Sequence, residues 1–154
     1  MTIAAPPAST KQASLVVDDL KVYYDTPEGV VKAVDGVTFT LRQGERLALA
    51  GESGSGKSTL AMALMRLTKA PGRIAGGHII LGGRDLVPLD DKQMREVRLK
   101  DIALVPQGAM NSFNPVMRVE NQVIDGIVDH VADAEPKPQP GELRERVQAL
   151  LARV

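Results

Sequence analysis

The residues with the most evident chemical potential lie together in "GESGSGKST", Gly51 to Thr59. Gly51, four intervening residues and then Gly56-Lys57-Ser58 satisfy the pattern G-x-x-x-x-G-K-[ST]. A turn that wraps a phosphate group needs positive φ and close backbone approach, which glycine permits without steric cost. The wrapped N–H groups and the start of a following helix then favour an anion. In this reading Gly51, Ser53, Gly54, Ser55, Gly56, Lys57, Ser58 and Thr59 surround the phosphates of a nucleotide. Lys57 reaches the β- and γ-phosphates, and the Ser58 hydroxyl is placed to ligate Mg²⁺.

Such a loop works only between a strand and a helix, and the flanks supply both. "RLALA" (46–50) is short and almost wholly apolar, as a buried parallel strand would be. After Lys57, Leu60, Leu64 and Leu67 recur at helical spacing, with Pro71-Gly72 as a stop. Upstream, "SLVVDDLKVYY" reads as a strand and "TPEG" as a turn. "VVKAVDGVTFTL" follows, with Val37, Phe39 and Leu41 alternating as in a half-buried strand, before the turn "RQGE". Downstream, "GGHIILGGRDL" reads as a strand between glycine turns, and "LDDKQMREVR" as a helix with acids first and bases last. "DIALVPQ" reads as another buried strand, and "VENQVIDGIVDHV" as a one-faced helix. "AEPKPQPG" breaks the chain with three prolines, and "ELRERVQALLARV" opens a helix striped by Leu143, Val147, Leu150, Leu151 and Val154. Strands alternating with helices imply an α/β fold with some parallel pairing.

Composition narrows the class. The 154 residues suffice for one domain with a core, and a net charge of zero gives no attraction to nucleic acid. Without cysteine there is neither a disulfide framework nor a thiolate metal site. "MTIAAPPASTKQ" lacks the apolar core of a signal peptide and reads as a disordered leader, 1–12. No run approaches the roughly 18 apolar residues of a membrane span, so a membrane role would come through a partner.

The segment "AVDGVTFTLRQGERLALAGESGSGKSTLAMALM" resembles the nucleotide-binding subunits of ATP-binding cassette (ABC) transporters. "PEGVVKAVDGVTF" with "GESGSGKS" resembles their oligopeptide, dipeptide and nickel import branch, and "IALVPQGAMNSFNPVMRVENQV" is similar to the Q-loop segment of that branch. The resemblance runs from about residue 14 to 154. It implies a P-loop NTPase fold of the ABC type, incomplete, with antiparallel strands at its N-terminus. The core lobe would cover 13–118 and the helical subdomain would begin at 119–154. It implies ATP with Mg²⁺, and an ATPase driving uptake of peptides or a related small solute. The position of Gln107 implies the Q-loop glutamine, whose amide can ligate Mg²⁺ and contact the attacking water. The offset of Tyr24 from Leu20 implies the aromatic residue that stacks on adenine, with Tyr23 as the other candidate. In a strand the two tyrosines face opposite ways, so only one can stack. The partners implied are a second ABC ATPase subunit and transmembrane permease subunits. The latter would meet residues 108–117, where Met110, Phe113 and Met117 are apolar. The location implied is peripheral, on the cytoplasmic face of the membrane.

Some residues are set aside. "LVVDD" (15–19) imitates an apolar strand ending in a metal-binding aspartate, but it precedes the loop; it reads as strand then turn. His78 and His130 do not follow the pattern of a switch histidine and read as surface or edge residues. The family's Leu-Ser-Gly-Gly-Gln signature, its strand ending in Asp-Glu and its switch histidine do not occur in the 154 residues. The expectation is therefore a piece of a longer chain, marginally stable by itself, that binds nucleotide with no turnover while its parent hydrolyses ATP. A non-transport ABC-type protein of the same branch is the other reading. A generic P-loop kinase or GTPase would leave "PQGAMNSFNP" unexplained.

Overall fold

The computed structural model describes residues 13–106, 108, 112–131 and 139–153. The leader 1–12, Gln107, Met110, Val154 and most of the proline-rich linker lie outside the described residues. The chain divides between Leu104 and Val105 into two compact units.

In the first unit, β1 (Ala13–Thr26) and β2 (Gly29–Arg42) form a long antiparallel hairpin closed by Pro27 and Glu28, the predicted turn. β3 (Gly72–Leu81) pairs with the other edge of β1, and the short β4 (Arg84–Asp85) with β3, so the sheet order is β2-β1-β3-β4. The apolar residues of β1 change parity: Leu15 and Val17 are buried, then Leu20 and Val22. Side chains alternate faces along a strand, so both pairs can point inward only if an extra residue is inserted between them. The register shifts there against both neighbours. Asp19 takes φ of 46°, and its N–H donates to Thr38 Oγ1 at 2.9 Å. "LVVDD" is thus strand and bulge, with Asp19 paired to Lys21 at 2.5 Å.

α1 (Lys57–Leu64) buries Leu60 and Ala63 against the hairpin, and α2 (Asp91–Val97) adds Met94 and Val97 to the same core. α2 begins with a capping box: Asp90 accepts from the Gln93 N–H, and the Gln93 side chain accepts from the Asp90 N–H.

Two expectations differ from what is observed. α1 ends at Leu64, so Leu67 lies beyond it. Arg66 adopts φ of 54°; its N–H bonds Ala63 O at 2.9 Å, and the Leu67 N–H bonds Met62 O at 2.8 Å. This is a Schellman stop made without glycine. The left-handed backbone is held because the Arg66 guanidinium donates to Leu86 O and Val87 O, while Arg98 donates to Met65 O and Arg66 O at 3.0 Å each.

Second, among the described residues the named strands pair only antiparallel. Between described residues an isolated parallel bridge joins Arg98 and Ile102. Residues 45–49 and 103–106 belong to no strand, although Leu47 and Leu49 still pack against the core. A hairpin finds its partner through a two-residue turn, whereas a parallel strand must find one across a crossover of a dozen or more residues. An apolar run with no such ladder has burial but no strand.

In the second unit, α3 (Val119–Val131) and α4 (Pro140–Leu151) pack together. Leu143 and Val147 of the predicted stripe are buried, while Leu150 and Leu151 are exposed. Arg144 pairs with Glu120 at 3.3 Å.

Candidate functional site

The loop from Gly51 to Gly56 leads directly into α1. Gly56 is the N-cap, with φ of 86°, and Gly54 has φ of 81°. No side chain caps α1, and its first turn carries no acid. The first N–H groups of a helix have no partner within it and carry its positive end, so this terminus offers unneutralised donors to an anion. The loop is seated on β2. A Cβ on Gly56 would stand 2.3 Å from Ala33 O. The β1–β2 register slips at this point: Val22 pairs with Val34 but Tyr23 with Lys32, which leaves Ala33 as the extra residue of a bulge. The bulge and the left-handed glycine therefore fit each other.

Lys57 is folded back into the loop. Its ammonium donates to Gly51 O at 2.7 Å, Glu52 O at 2.6 Å and Ser55 Oγ at 3.3 Å. Three neutral acceptors hold the charge at the centre of the wrapped backbone. Phosphate oxygens would be stronger acceptors, because a hydrogen bond between ionised partners is roughly twice as strong as a neutral one. Ser58 is exposed and Thr59 half-buried in the first turn of α1, and Ser53 is exposed in the loop. The donor set suits a polyphosphate, and the exposed Ser58 hydroxyl is an oxygen ligand of the type Mg²⁺ takes. Among the described residues no cluster of His, Cys, Asp or Glu could hold a metal by itself.

The two tyrosines occupy different surroundings. The Tyr23 hydroxyl donates to Asp35 Oδ1 at 2.5 Å, and Lys32 Nζ lies 5.4 Å from the ring centroid. That hydrogen bond holds the Asp35 carboxyl below the ordinary carboxylate range, with Lys32 adding to it, and raises the Tyr23 phenol. Tyr24 pairs with Val31 and Gly72 across the sheet, and its ring lies over Gly72, where an added Cβ would meet Cε1 at 2.7 Å. Beside the loop is a cleft of about 480 Å³ lined by Ala33, Val34, Asp35, Gly36, Val37, Thr38 and Ser55. Neither tyrosine lines it. Asp35 was not expected from the sequence, because an acidic residue in an alternating strand reads as a solvated face. Its link to Tyr23 spans twelve residues.

Gln107 lies outside the described residues, as does Met110. In the second unit Phe113, Val116 and Met117 are exposed. Gln122 ties that segment to α3, accepting from the Asn114 N–H and donating to Asn114 O and Met117 O.

A family model described as ABC transporter matches residues 34–154. The chain belongs to the ABC transporter family. The oligopeptide transport ATP-binding protein OppD of Bacillus subtilis is 42% identical over 136 residues, covering 86% of this chain and 38% of its own length. The OppD protein of Escherichia coli is 43% identical over 129 residues, with 82% and 38% covered. The dipeptide transport ATP-binding protein DppD of Caldanaerobacter subterraneus is 39% identical over 114 residues, with 74% and 35% covered. This ABC chain thus spans well under half the length of these relatives. Among solved structures, the dimeric bacterial ABC transporter cassette MJ0796 aligns with a TM-score of 0.69 at 19% identity, covering 90% of this chain and 56% of that one. A likeness at that identity supports the ABC cassette fold. Among the described residues no helix is long and apolar enough to cross a membrane.

Proposed function

We propose that this chain is the nucleotide-binding part of the ATP-binding subunit of an ABC importer, and that the whole protein couples ATP binding and hydrolysis to uptake of peptides or a related small solute. The observation that carries this reading is the loop: Lys57 drawn onto Gly51 and Glu52 carbonyls beside an uncapped helix start. The names of the relatives support the peptide class, and that of a Brucella abortus protein named for peptide import, 39% identical over 143 residues, supports the import direction.

In this reading the loop N–H groups and Lys57 bind the phosphates, and Gly51, Ser53, Gly54, Ser55, Gly56 and Thr59 shape the cradle. Ser58 and Gln107 would hold Mg²⁺, which when bound neutralises charge on the phosphate oxygens. Tyr24 is the residue on which adenine stacks. A second ABC ATPase subunit and the permease subunits are the partners, the latter meeting residues 108–117. The protein sits on the cytoplasmic face of the membrane.

Calorimetric titration with Mg-ATP tests the assignment. Replacing Lys57 by alanine removes a charge-assisted contact of about 1.5–3 kcal/mol, which weakens binding roughly 10- to 150-fold. Equal affinity in the variant and the parent chain would overturn it.

A further inference from the structure

We propose that a second cleft, between the β3–β4 turn and the end of α2, binds a short apolar peptide with free ends, its carboxylate on Arg84 and Lys100 and its ammonium on Asp101. The cleft lies wholly in the first unit and uses no residue of the phosphate loop.

Its volume is about 580 Å³, inside the range of roughly 300–1,000 Å³ that small-molecule sites occupy. The floor is apolar: Leu81, Leu86 and Val97 line it, and Leu86 and Val97 are anchored in the core. An apolar side chain laid on that floor leaves water, which favours binding. Arg84, Lys100 and Asp101 stand around it, and all three are exposed. Among the described residues none of the three forms an ion pair.

Two cations and one carboxylate about an apolar floor select the ligand. A phosphate group would be drawn to Arg84 and Lys100 but repelled by Asp101, and it would leave the floor uncovered. A fatty acid would cover the floor and leave Asp101 without a partner beside an apolar chain, which is costly for a charge. A zwitterion with an apolar body satisfies every group. The Arg84 guanidinium can donate two parallel N–H bonds to its carboxylate, Lys100 adds a second cation, and Asp101 accepts from its ammonium. The cleft has room for more than a single amino acid, so the zwitterion is a short peptide.

The backbone holds these groups in place. Gly82 and Gly83, with φ of 55° and 87°, form the two-residue turn of positive φ that tight hairpins use, and Arg84 pairs with Leu81 directly across it. The Gly82 N–H donates to Ser14 O at 3.0 Å, which ties the turn to β1. After α2, the Asp101 N–H donates to Val97 O at 2.9 Å and the Leu99 N–H to Ile102 O at 2.8 Å, so Lys100 and Asp101 ride on a closed turn. Walls already ordered lose less freedom when a ligand binds. In an importer of peptides, the delivered solute would meet a receptor on the ATP-binding subunit itself; that consequence rests on the importer reading, whereas the site rests on its own lining.

The test is a calorimetric titration of the chain with Leu-Leu, its C-terminal amide, N-acetyl-Leu-Leu, Gly-Gly and leucine, with Mg-ATP run separately. Leu-Leu is expected to bind, and the amide, which lacks the carboxylate, to bind at least about tenfold more weakly. N-acetyl-Leu-Leu and Gly-Gly are each expected to bind more weakly than Leu-Leu, for want of the ammonium and of the apolar side chains. In the double variant Arg84→Gln, Lys100→Gln, Leu-Leu is expected to fall to the level of its amide while Mg-ATP binds as before. Both positions are exposed, and an unchanged circular dichroism spectrum shows that the variant is folded. No binding of Leu-Leu by the parent chain, or equal binding of Leu-Leu and its amide, overturns the proposal and needs no variant. Leucine binding as tightly as Leu-Leu also overturns it, since the site would then take amino acids. Peptide binding without Mg-ATP binding would instead overturn the nucleotide reading and leave this site standing.

Discussion

Replacing Gly56 by alanine is expected to cost more stability than any other single methyl group added to the loop, and the structure says why. At φ of 86° an alanine would hold left-handed backbone, a penalty of roughly 1–2 kcal/mol. Its Cβ would also stand 2.3 Å from Ala33 O, about 1 Å inside ordinary contact, and the obstacle is backbone rather than a flexible side chain. Relief requires the loop or the β2 bulge to move, and overpacking of this kind costs about 1–3 kcal/mol. The total expected is therefore about 2–5 kcal/mol. Gly54 provides the control. It has nearly the same φ, 81°, but an added Cβ there meets nothing within 4 Å, so Gly54→Ala isolates the backbone term. Urea denaturation followed by circular dichroism gives both values from the shift in midpoint at constant slope. The expected gap between the variants is the contact term, about 1–3 kcal/mol. Equal destabilisation by the two substitutions would refute the seating of the loop on the bulge.

Three further outcomes follow from other contacts. Tyr24→Ala is expected to weaken ATP binding by about 1–3 kcal/mol if adenine stacks there; a larger loss from Tyr23→Ala for the free base adenine would transfer stacking to Tyr23. His78 Nδ1 lies 2.7 Å from Asp85 Oδ2, and the hydrogen bond it donates to this carboxylate raises the imidazole above its ordinary value of 6.5. For Asp85, burial pushes the carboxyl up, but His78 and the Val87 and Ile79 N–H groups outweigh it and the net shift is downward. The histidine contribution is therefore fully present below about pH 6.5 and lost as pH rises through the raised value, while that of Asp85 is lost as pH falls through its depressed value. In an NMR titration His78 should return toward its ordinary value in Asp85→Asn; an unchanged titration would show that the pair does not form in solution. Arg98→Ala strips the donors from Met65 O and Arg66 O at the end of α1 and should cost about 1.5–3 kcal/mol in the same denaturation assay, with a change under about 0.5 kcal/mol counting against the cap.

What the sequence by itself determined are the features set over a few residues. The phosphate loop is one: its glycines, Lys57 and the helix start are neighbours in the chain, so type and spacing suffice. The Pro27-Glu28 turn, the Gln43-Gly44 turn and the Asp90–Gln93 capping box are local in the same way. The bulge at Asp18-Asp19 is also written in the parity change from Leu15 and Val17 to Leu20 and Val22, although two consecutive aspartates read as a turn. The tertiary structure decided everything that depends on a distant partner. Leu47 and Leu49 have the apolarity of a buried strand, but a strand exists only where another backbone completes its ladder. α1 stops at Leu64 because Arg66 and Arg98 find carbonyls 20 to 33 residues away, which no window along the chain contains. Asp35 gained its partner only when the hairpin placed it beside Tyr23, and the seating of Gly56 on Ala33 placed the loop against the same strand. Short-range sterics and capping act between neighbours and are legible in order; hydrogen-bond and packing partners are chosen in space.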